Sequence, residues 1–252
     1  MILAHLYEAP DWKEYRMDTR DPHRQLEPAA QETERVEAAL QALVTAGILP
    51  HTQYDHQRFL AHREAVAARF DIPWTAITPR MQRLLYGINA IRQPRTMVAT
   101  GVFCGNTFIA NAGAAVGPGA CYQAERLIGV EIDLQEAQRA ERNVRHLDPE
   151  GRAQIVAADG IPFLRQLDGR IDLLYLDANG RDGKGKSIYL DMLEAANPAL
   201  ADGALVLAHN SINSAASLAD YLGAVRDPAR FRQSVNVCID GEGLEVSLFV
   251  PA

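Results

Sequence analysis

The chain has 252 residues, of which 48% are hydrophobic and 23% are charged, and this ordinary globular usage excludes a disordered or fibrous protein. Lysine and arginine number 25 against 32 aspartates and glutamates, which gives a formal net charge of −7. A protein of this charge lacks the basic surface of one that binds nucleic acids or anionic membranes, so the predicted partner is a small molecule.

Cysteine usage and the N-terminus indicate the compartment. Cys104, Cys121 and Cys238 are an odd number at wide spacing, and no CxxC pair occurs, which is typical of a reducing environment. The N-terminus has no basic segment followed by a long apolar run, and no stretch reaches the roughly 18 apolar residues that span a bilayer. We therefore expect a cytoplasmic protein. The sequence leaves its oligomeric state open, a homodimer included.

The first part of the chain, residues 1–94, has helical patterning. Apolar residues recur at helical spacing over 32–46 and over 56–70. A third helix is predicted to begin after Thr78, which can cap it, with Pro79 in its first turn. We therefore expect these residues to form a helical cap or lid.

From residue 95 to 252, short apolar runs alternate with segments of helical length. The runs lie at 96–100, 127–132, 154–157, 171–176 and 204–208. This alternation predicts parallel strands that helices cover on both faces. Two further runs, 234–239 and 244–250, flank a short connector and must therefore be antiparallel neighbours. The predicted fold is α/β: a Rossmann-like, mostly parallel seven-stranded sheet with a C-terminal antiparallel hairpin.

The residues that follow the first two strands of this sheet are candidate ligand contacts, because ligands bind beyond the carboxyl ends of parallel strands. Gly101 and Gly105 follow the first strand and let the backbone approach a ligand at a helix N-terminus. Their spacing is not GxGxxG, which argues against a nicotinamide or flavin site. Glu131 follows the second strand and can accept both hydroxyls of a ribose, although a solvated loop acid is an equally good interpretation of it alone.

The next three strand ends also carry polar side chains. Asp159, before Gly160, suits an exocyclic amine or a backbone donor. Asp177 ends a buried strand, where a carboxylate without a partner is costly, so a ligand contact is favoured over a simple helix cap. His209 and Asn210 end the fifth strand, and His209 fits a structural role as well as a functional one.

Taken in order, these motifs resemble those of the class I S-adenosylmethionine-dependent methyltransferases, and most closely the catechol and caffeoyl-CoA O-methyltransferase branch. The first motif of that branch is matched by Thr100-Gly-Val-Phe-Cys-Gly-Asn-Thr, and its ribose motif by Gly-Val-Glu131-Ile-Asp133. The resemblance covers about 96–250 and implies S-adenosyl-L-methionine as the cofactor. The residues that it implies for cofactor binding are Gly101, Phe103, Gly105, Asn106, Thr107, Glu131, Asp159, Gly160 and Asp177.

The sequence departs from that branch at the metal site. The family's ligands are Asp, Asp and Asn, whereas the matching positions here are Asp177, His209 and Asn210, and an imidazole suits magnesium poorly. The lysine that catechol-type enzymes place three residues after the first of these is replaced by Gly180, and the acid before the glycine turn by Ala99. We therefore expect no metal.

The reaction that the resemblance implies is methyl transfer to a small-molecule acceptor in specialised metabolism. Such a reaction asks the protein to align the acceptor and to remove a proton. Asp177 would hold the ammonium of the cofactor, His209 would act as a base with a pKa near neutrality, and Asn210 would orient the acceptor. Three residues of the cap would cover the crevice: Trp74, Tyr86 and Asn89.

Three alternatives stay open. The segment from Gly180 to Ser187 matches GxxxxGK(S/T) between a strand and a helix, as a phosphate loop requires, although a basic, mobile flap is the milder interpretation. A protein of the same fold could cyclise S-adenosylmethionine alone, forming azetidine-2-carboxylate or a cyclopropane amino acid with methylthioadenosine as leaving group. The third alternative is a catalytically silent cofactor-binding protein.

Overall fold

The computed structural model describes residues 5–74, 77–181 and 183–250. Its strands are β1 (Leu6–Glu8), β2 (Thr96–Thr100), β3 (Arg126–Glu131), β4 (Ala153–Ala157), β5 (Ile171–Leu176), β6 (Leu200–His209), β7 (Phe231–Cys238) and β8 (Leu244–Phe249). Its helices are α1 (Ala29–Thr45), α2 (His56–Arg69), α3 (Pro79–Arg92), α4 (Asn106–Ala112), α5 (Leu134–Leu147), α6 (Gly160–Gln166), α7 (Ile188–Ala196) and α8 (Ala219–Val225).

The strands form one eight-stranded sheet in the order β1-β7-β8-β6-β5-β2-β3-β4. Among the described strands, β8 alone runs against its neighbours, β6 and β7. This confirms a mostly parallel sheet with a C-terminal antiparallel hairpin. The strand beyond the predicted seven is β1, which pairs in parallel with β7 at the sheet edge. At three residues, β1 is too short to show a period of two in the sequence.

Side chains at the helix N-termini fix where several helices begin. The hydroxyl of Thr78 accepts from the backbone N–H of Met81, as predicted, and Pro79 occupies the first turn of α3. Asp55 caps α2 in the same way, and Asp133 caps α5. Throughout the part of the chain that the structure describes, no helix combines the length and apolar character needed to cross a bilayer.

The sheet separates two hydrophobic cores. One core lies against helices α1 to α5, and the other against α6, α7 and α8. Along β5, Leu173 and Tyr175 face the first core, whereas Leu174 and Leu176 face the second. All four are fully buried, and full burial of one such side chain stabilises the fold by about 1.5–3 kcal/mol. The strand is therefore apolar along its length because it has no exposed face.

The N-terminal helices share the first core with the sheet. Leu84 of α3 belongs to the same buried cluster as Met97 of β2. The buried carboxylate of Glu32 on α1 ties the helices together, because it accepts from Arg83 of α3 at 2.5 Å and from Arg63 of α2 at 2.8 Å. The N-terminal helices therefore pack against one face of the sheet. The predicted division into a cap and a sheet domain stays a prediction.

Candidate functional site

A cavity of about 670 Å³ lies at the carboxyl ends of the parallel strands. Its volume is in the range of small-molecule sites, roughly 300–1,000 Å³. The predicted site residues that line it are Gly101, Phe103, Asn106, Thr107, Glu131, Asp159, Gly160, Asp177, His209 and Asn210. The sheet therefore brings together side chains that the sequence spreads over more than a hundred positions, because parallel strands end at one edge.

The glycine turn after β2 allows two close backbone contacts. Gly101 has a φ of 72°, and a Cβ there would lie 2.3 Å from the Cα of Ala178, so only glycine lets this turn meet the end of β5. Gly105 has a φ of 87°, and its Cβ would point at Ala140 of α5 at 3.2 Å. Gly105 is absent from the described lining of the cavity because it faces this helix. It shapes the turn, and its predicted role in cofactor binding stays a prediction.

Glu131 holds the same turn from the end of β3. Its Oε2 accepts from the backbone N–H of Phe103 at 2.7 Å, and its Oε1 accepts from that of Asp133 at 3.0 Å. Each carboxylate oxygen can accept more than one hydrogen bond, so further acceptor capacity remains towards the cavity. The predicted hydroxyl-binding role of Glu131 is therefore compatible with its structural one.

Trp74 is the predicted cap residue that reaches the cavity. Its ring lies 5.2 Å from that of Phe103 in an edge-on arrangement, and 65% of its surface is exposed. Tyr86 and Asn89 were expected there but lie elsewhere, because their polar groups are used in the interior. The Tyr86 hydroxyl donates to the carbonyl of Gly119 at 2.6 Å, and Asn89 donates to Asn111 at 2.9 Å.

Four charged side chains meet on the floor of the cavity, and we call them the charge cluster: Asp177, Lys186, His209 and Glu242. The Lys186 ammonium donates to Oδ1 of Asp177 at 2.7 Å and to its backbone carbonyl at 2.9 Å. His209 contacts the other carboxylate oxygen through Nδ1 at 3.3 Å. Its Nε2 lies 3.0 Å from Oε2 of Glu242. The carboxylate of Asp177, which is 15% exposed, thus has two cationic partners, which offsets the cost of its partial burial.

The charge cluster sets the protonation of its members. Burial alone would raise the pKa of Asp177, but the charges of Lys186 and His209 outweigh it and hold this pKa below its usual value. Burial alone would lower the pKa of His209, but Asp177 and Glu242 outweigh it and raise this pKa to about 10. His209 therefore carries a proton at neutral pH. This raised pKa weighs against the predicted role of His209 as a base, because an imidazolium donates and does not accept, and that role stays a prediction.

One family model matches part of the chain. Residues 98–211 match a family model described as a methyltransferase domain. The chain resembles the class I methyltransferases. No curated protein sequence matches it significantly.

Solved structures of methyltransferases share the fold. One is the O-methyltransferase TomG from Streptomyces achromogenes, which is involved in tomaymycin synthesis and was solved with S-adenosylmethionine. It has a TM-score of 0.59 at 18% identity, and the match covers 86% of this chain and 96% of TomG. A methyltransferase from Geobacter sulfurreducens has a TM-score of 0.56 at 22% identity, and the match covers 86% of this chain and 96% of that one. An O-methyltransferase from Bacillus cereus, solved with S-adenosylhomocysteine, has a TM-score of 0.55 at 13% identity. The match covers 94% of this chain and 98% of that one.

Two members of the charge cluster were not predicted as site residues from the sequence. Lys186 lies in the loop before α7, and the sequence signal for it was that two of the three lysines in the chain stand in this one loop. Glu242 lies in the turn between β7 and β8, which the sequence marks only as a connector. The backbone at Glu242 is held by Asp240, whose carboxylate accepts from the N–H of Glu242 at 3.0 Å.

The loop that resembles a phosphate loop is folded back on itself. The backbone N–H of Gly180 donates to the carbonyl of Gly185 at 2.8 Å, and the Ser187 hydroxyl donates to the carbonyl of Lys184 at 2.7 Å. The lysine of the motif, Lys186, is bound to Asp177. These donors of the motif are thus already used, which fits the flap interpretation. Asp182 of this motif lies outside the described residues.

Proposed function

We propose that the protein transfers a methyl group from S-adenosylmethionine to a small-molecule acceptor, without a divalent metal. The observation that carries this proposal is the cavity at the strand ends, in which the glycine turn, Glu131 and the charge cluster meet. The methyltransferase match over 98–211 supports the reaction. The cofactor is supported by the S-adenosylmethionine bound in TomG, and the involvement of TomG in tomaymycin synthesis supports an acceptor from specialised metabolism.

The cavity has polar groups that fit this cofactor. The Nδ2 of Asn106 is buried and has no hydrogen-bond partner among the described residues, so it offers a donor to a ligand carboxylate. Glu131 offers acceptors to the ribose hydroxyls, and Asp159 to an exocyclic amine. Gly101 and Val102 line the cavity, so the backbone of the turn could contact the ligand there. The bound cofactor supplies an activated methyl group, and these residues would hold and orient it.

The residues at the position of the family's metal do not fit magnesium. Both oxygens of Asp177 already contact cationic groups, Lys186 on one and His209 on the other. A dication placed there would meet two positive charges, and a protonated imidazole has no lone pair to give a metal. Metal independence is therefore part of the proposal.

The remaining parts of the proposal concern the cap and the compartment. Residues 1–94 would contribute the cover of the cavity through Trp74, which stands at its edge. Cys104, Cys121 and Cys238 are free thiols, which is expected of a protein kept in the reducing cytoplasm.

A titration tests the binding half of the proposal. We expect S-adenosylhomocysteine to bind in isothermal titration calorimetry, ATP to give no heat at the same concentration, and EDTA to change neither affinity nor turnover. ATP binding without binding of S-adenosylhomocysteine would contradict the proposal in favour of a phosphate loop. Loss of turnover in EDTA, restored by magnesium, would contradict metal independence alone.

A further inference from the structure

Among the described residues, the lysines and arginines that line the cavity all belong to the loop between β5 and α7, which we call the flap. They are Arg181, Lys184 and Lys186. The protein as a whole has an excess of acidic residues and only three lysines, two of which are in the flap. Positive charge gathered at one side of a cavity in an acidic protein favours an anionic ligand there.

Lys186 does not supply this excess of positive charge, because the charge cluster is balanced. Its two cationic side chains, Lys186 and His209, face two carboxylates, Asp177 and Glu242. The cluster therefore adds no net charge to the cavity. A net attraction for an anion has to come from the other two basic residues of the flap.

Arg181 is the residue of the flap with donors to spare. It is exposed at the cavity, and its guanidinium makes no ion pair or hydrogen bond with any described residue. Its five N–H donors form a planar fork that matches the two oxygens of a carboxylate. Lys184 pairs with Asp191 of α7 at 3.3 Å, and Asp191 is outside the described lining of the cavity. Lys184 therefore adds a second, partly neutralised positive charge.

The opposite end of the cavity is acidic. It is lined by Glu131 at the end of β3 and by Asp159 after β4, and the sheet places β2 and β3 between β4 and the strand that leads into the flap. S-adenosylmethionine has a sulfonium, an ammonium and one carboxylate, so its net charge is positive and suits this acidic end. An acceptor placed between the cofactor and the flap then meets positive charge on both sides, which favours an anion.

We propose that Arg181 binds a carboxylate of the acceptor, at a position remote from the reacting atom, with Lys184 as a second positive charge. This inference rests on the proposed function and names its substrate class: small carboxylic acids. The acceptor has to be small because one cavity of about 670 Å³ holds both it and the cofactor. Arg181 determines which acceptor binds and takes no part in the transfer of the methyl group or of a proton.

Helix α6 supplies a matched control for Arg181. Arg165 lies in the last turn of α6, is exposed as Arg181 is, and is absent from the described lining of the cavity. Arg181→Gln and Arg165→Gln change the charge of the protein equally, so only the place of the lost charge differs. Arg181→Lys keeps the charge but removes the planar fork.

The test uses benzoate and benzamide, which have nearly the same shape and differ in charge. Each is titrated into the full-length protein saturated with S-adenosylhomocysteine, and ligand-observed NMR measures its dissociation constant. We expect the wild type to bind benzoate about tenfold more tightly than benzamide. Arg181→Gln should weaken benzoate binding about tenfold and leave benzamide binding unchanged, whereas Arg165→Gln should change neither. Lys184→Gln should weaken benzoate binding by a smaller factor, because its charge is shared with Asp191.

The possible results separate this inference from the proposed function. Equal binding of benzoate and benzamide by the wild type, or binding of neither, would overturn the inference, as would equal losses in Arg181→Gln and Arg165→Gln. Phenyl phosphate bound in preference to benzoate would assign the flap to phosphate and overturn the carboxylate. Calorimetric binding of S-adenosylhomocysteine to the same samples tests the proposed function by itself, which stands if that binding is normal while benzoate shows no preference. If circular dichroism shows that Arg181→Gln is not folded, Arg181→Lys decides, and benzoate binding equal to that of the wild type would then contradict the role of the fork.

Discussion

At the scale of single residues, Glu131 stabilises the glycine turn and is the acceptor that we propose for the ribose hydroxyls of the cofactor. Its carboxylate accepts two backbone N–H groups and still faces the cavity. We expect Glu131→Ala to weaken binding of S-adenosylhomocysteine by about 1–3 kcal/mol, because the ribose hydroxyls lose their acceptor. Calorimetric titration measures this change.

The control for this prediction is Glu141→Ala on α5. Glu141 pairs with Arg145 on the same helix and has no contact with the turn, so its loss should not change the affinity. Glu131→Gln, which keeps one acceptor and the shape of the side chain, should lie between Glu131→Ala and the wild type. Unchanged affinity in Glu131→Ala would remove this residue from the cofactor site.

The protonated state of His209 predicts a pH dependence of stability. Its pKa is raised from 6.5 to about 10 in the folded protein, so the stabilisation is fully present below about pH 6.5 and is lost as the pH rises through 10. In urea unfolding, we therefore expect the difference in free energy of unfolding between the wild type and His209→Gln to be larger at pH 7 than at pH 9.5. Comparison with the variant isolates His209 from Asp177, Lys186 and Glu242, which are present in both. An equal difference at the two pH values would show that His209 is neutral when folded.

The sequence predicted the site residues on strands better than those on loops. Glu131, Asp177 and His209 were found because apolar runs locate the ends of buried strands, and those ends meet at one edge of the sheet. Lys186 and Glu242 lie on a loop and a turn, where the direction of a side chain depends on contacts with distant segments. The raised pKa of His209 could not be predicted from the sequence for the same reason, since one of the two carboxylates that raise it belongs to Glu242.

At the scale of elements, the N-terminus of α3 holds the hairpin turn between β7 and β8. The Thr78 hydroxyl accepts from the N–H of Met81 at 3.2 Å and donates to Oδ2 of the buried Asp240 at 2.6 Å. The other oxygen of Asp240 accepts from the N–H of Glu242 and of Gly243. One hydroxyl therefore connects the cap to the turn that carries Glu242 into the cavity.

Thr78→Ala should consequently destabilise the protein by about 2–4 kcal/mol in urea unfolding. The helix loses its cap, and a buried carboxylate loses a donor. The matched change at another helix is Asp55→Ala, which removes the exposed cap of α2 and should cost only about 1 kcal/mol. If the two variants lose the same stability, the contact between Thr78 and Asp240 does not hold the turn.

The elements themselves were largely predictable from periodicity and end signals. The bounds of β2 and β5 agree with the apolar runs because both strands are buried on both faces and are followed by polar or glycine residues. β6 begins four residues earlier than its apolar run because Ala201, Asp202 and Gly203 interrupt the pattern, although Leu200 already pairs with Ile171. Pairing of this kind depends on a partner strand and leaves no local signal in the sequence.

At the scale of the whole molecule, the shared core predicts that the helices and the sheet unfold together. The two tryptophans, Trp12 and Trp74, both lie before residue 94, so fluorescence follows the N-terminal part, whereas far-ultraviolet circular dichroism follows all helices and strands. The two signals should give coincident urea transitions, because α1 and α3 pack in the same core as β2 and β5. Two separate midpoints would show that the cap is an independent unit, as a strict division into domains requires.

The central claim, methyl transfer from S-adenosylmethionine, is tested most directly by following the methyl group itself. The protein is incubated with methyl-labelled S-adenosylmethionine, with and without a set of small phenols and enols, and the products are identified by mass spectrometry. We predict that S-adenosylhomocysteine forms only when an acceptor is present, in equal amount to a labelled methyl ether. Methylthioadenosine formed from the cofactor alone would contradict this account in favour of cyclisation, and binding without any consumption would indicate a silent cofactor-binding protein.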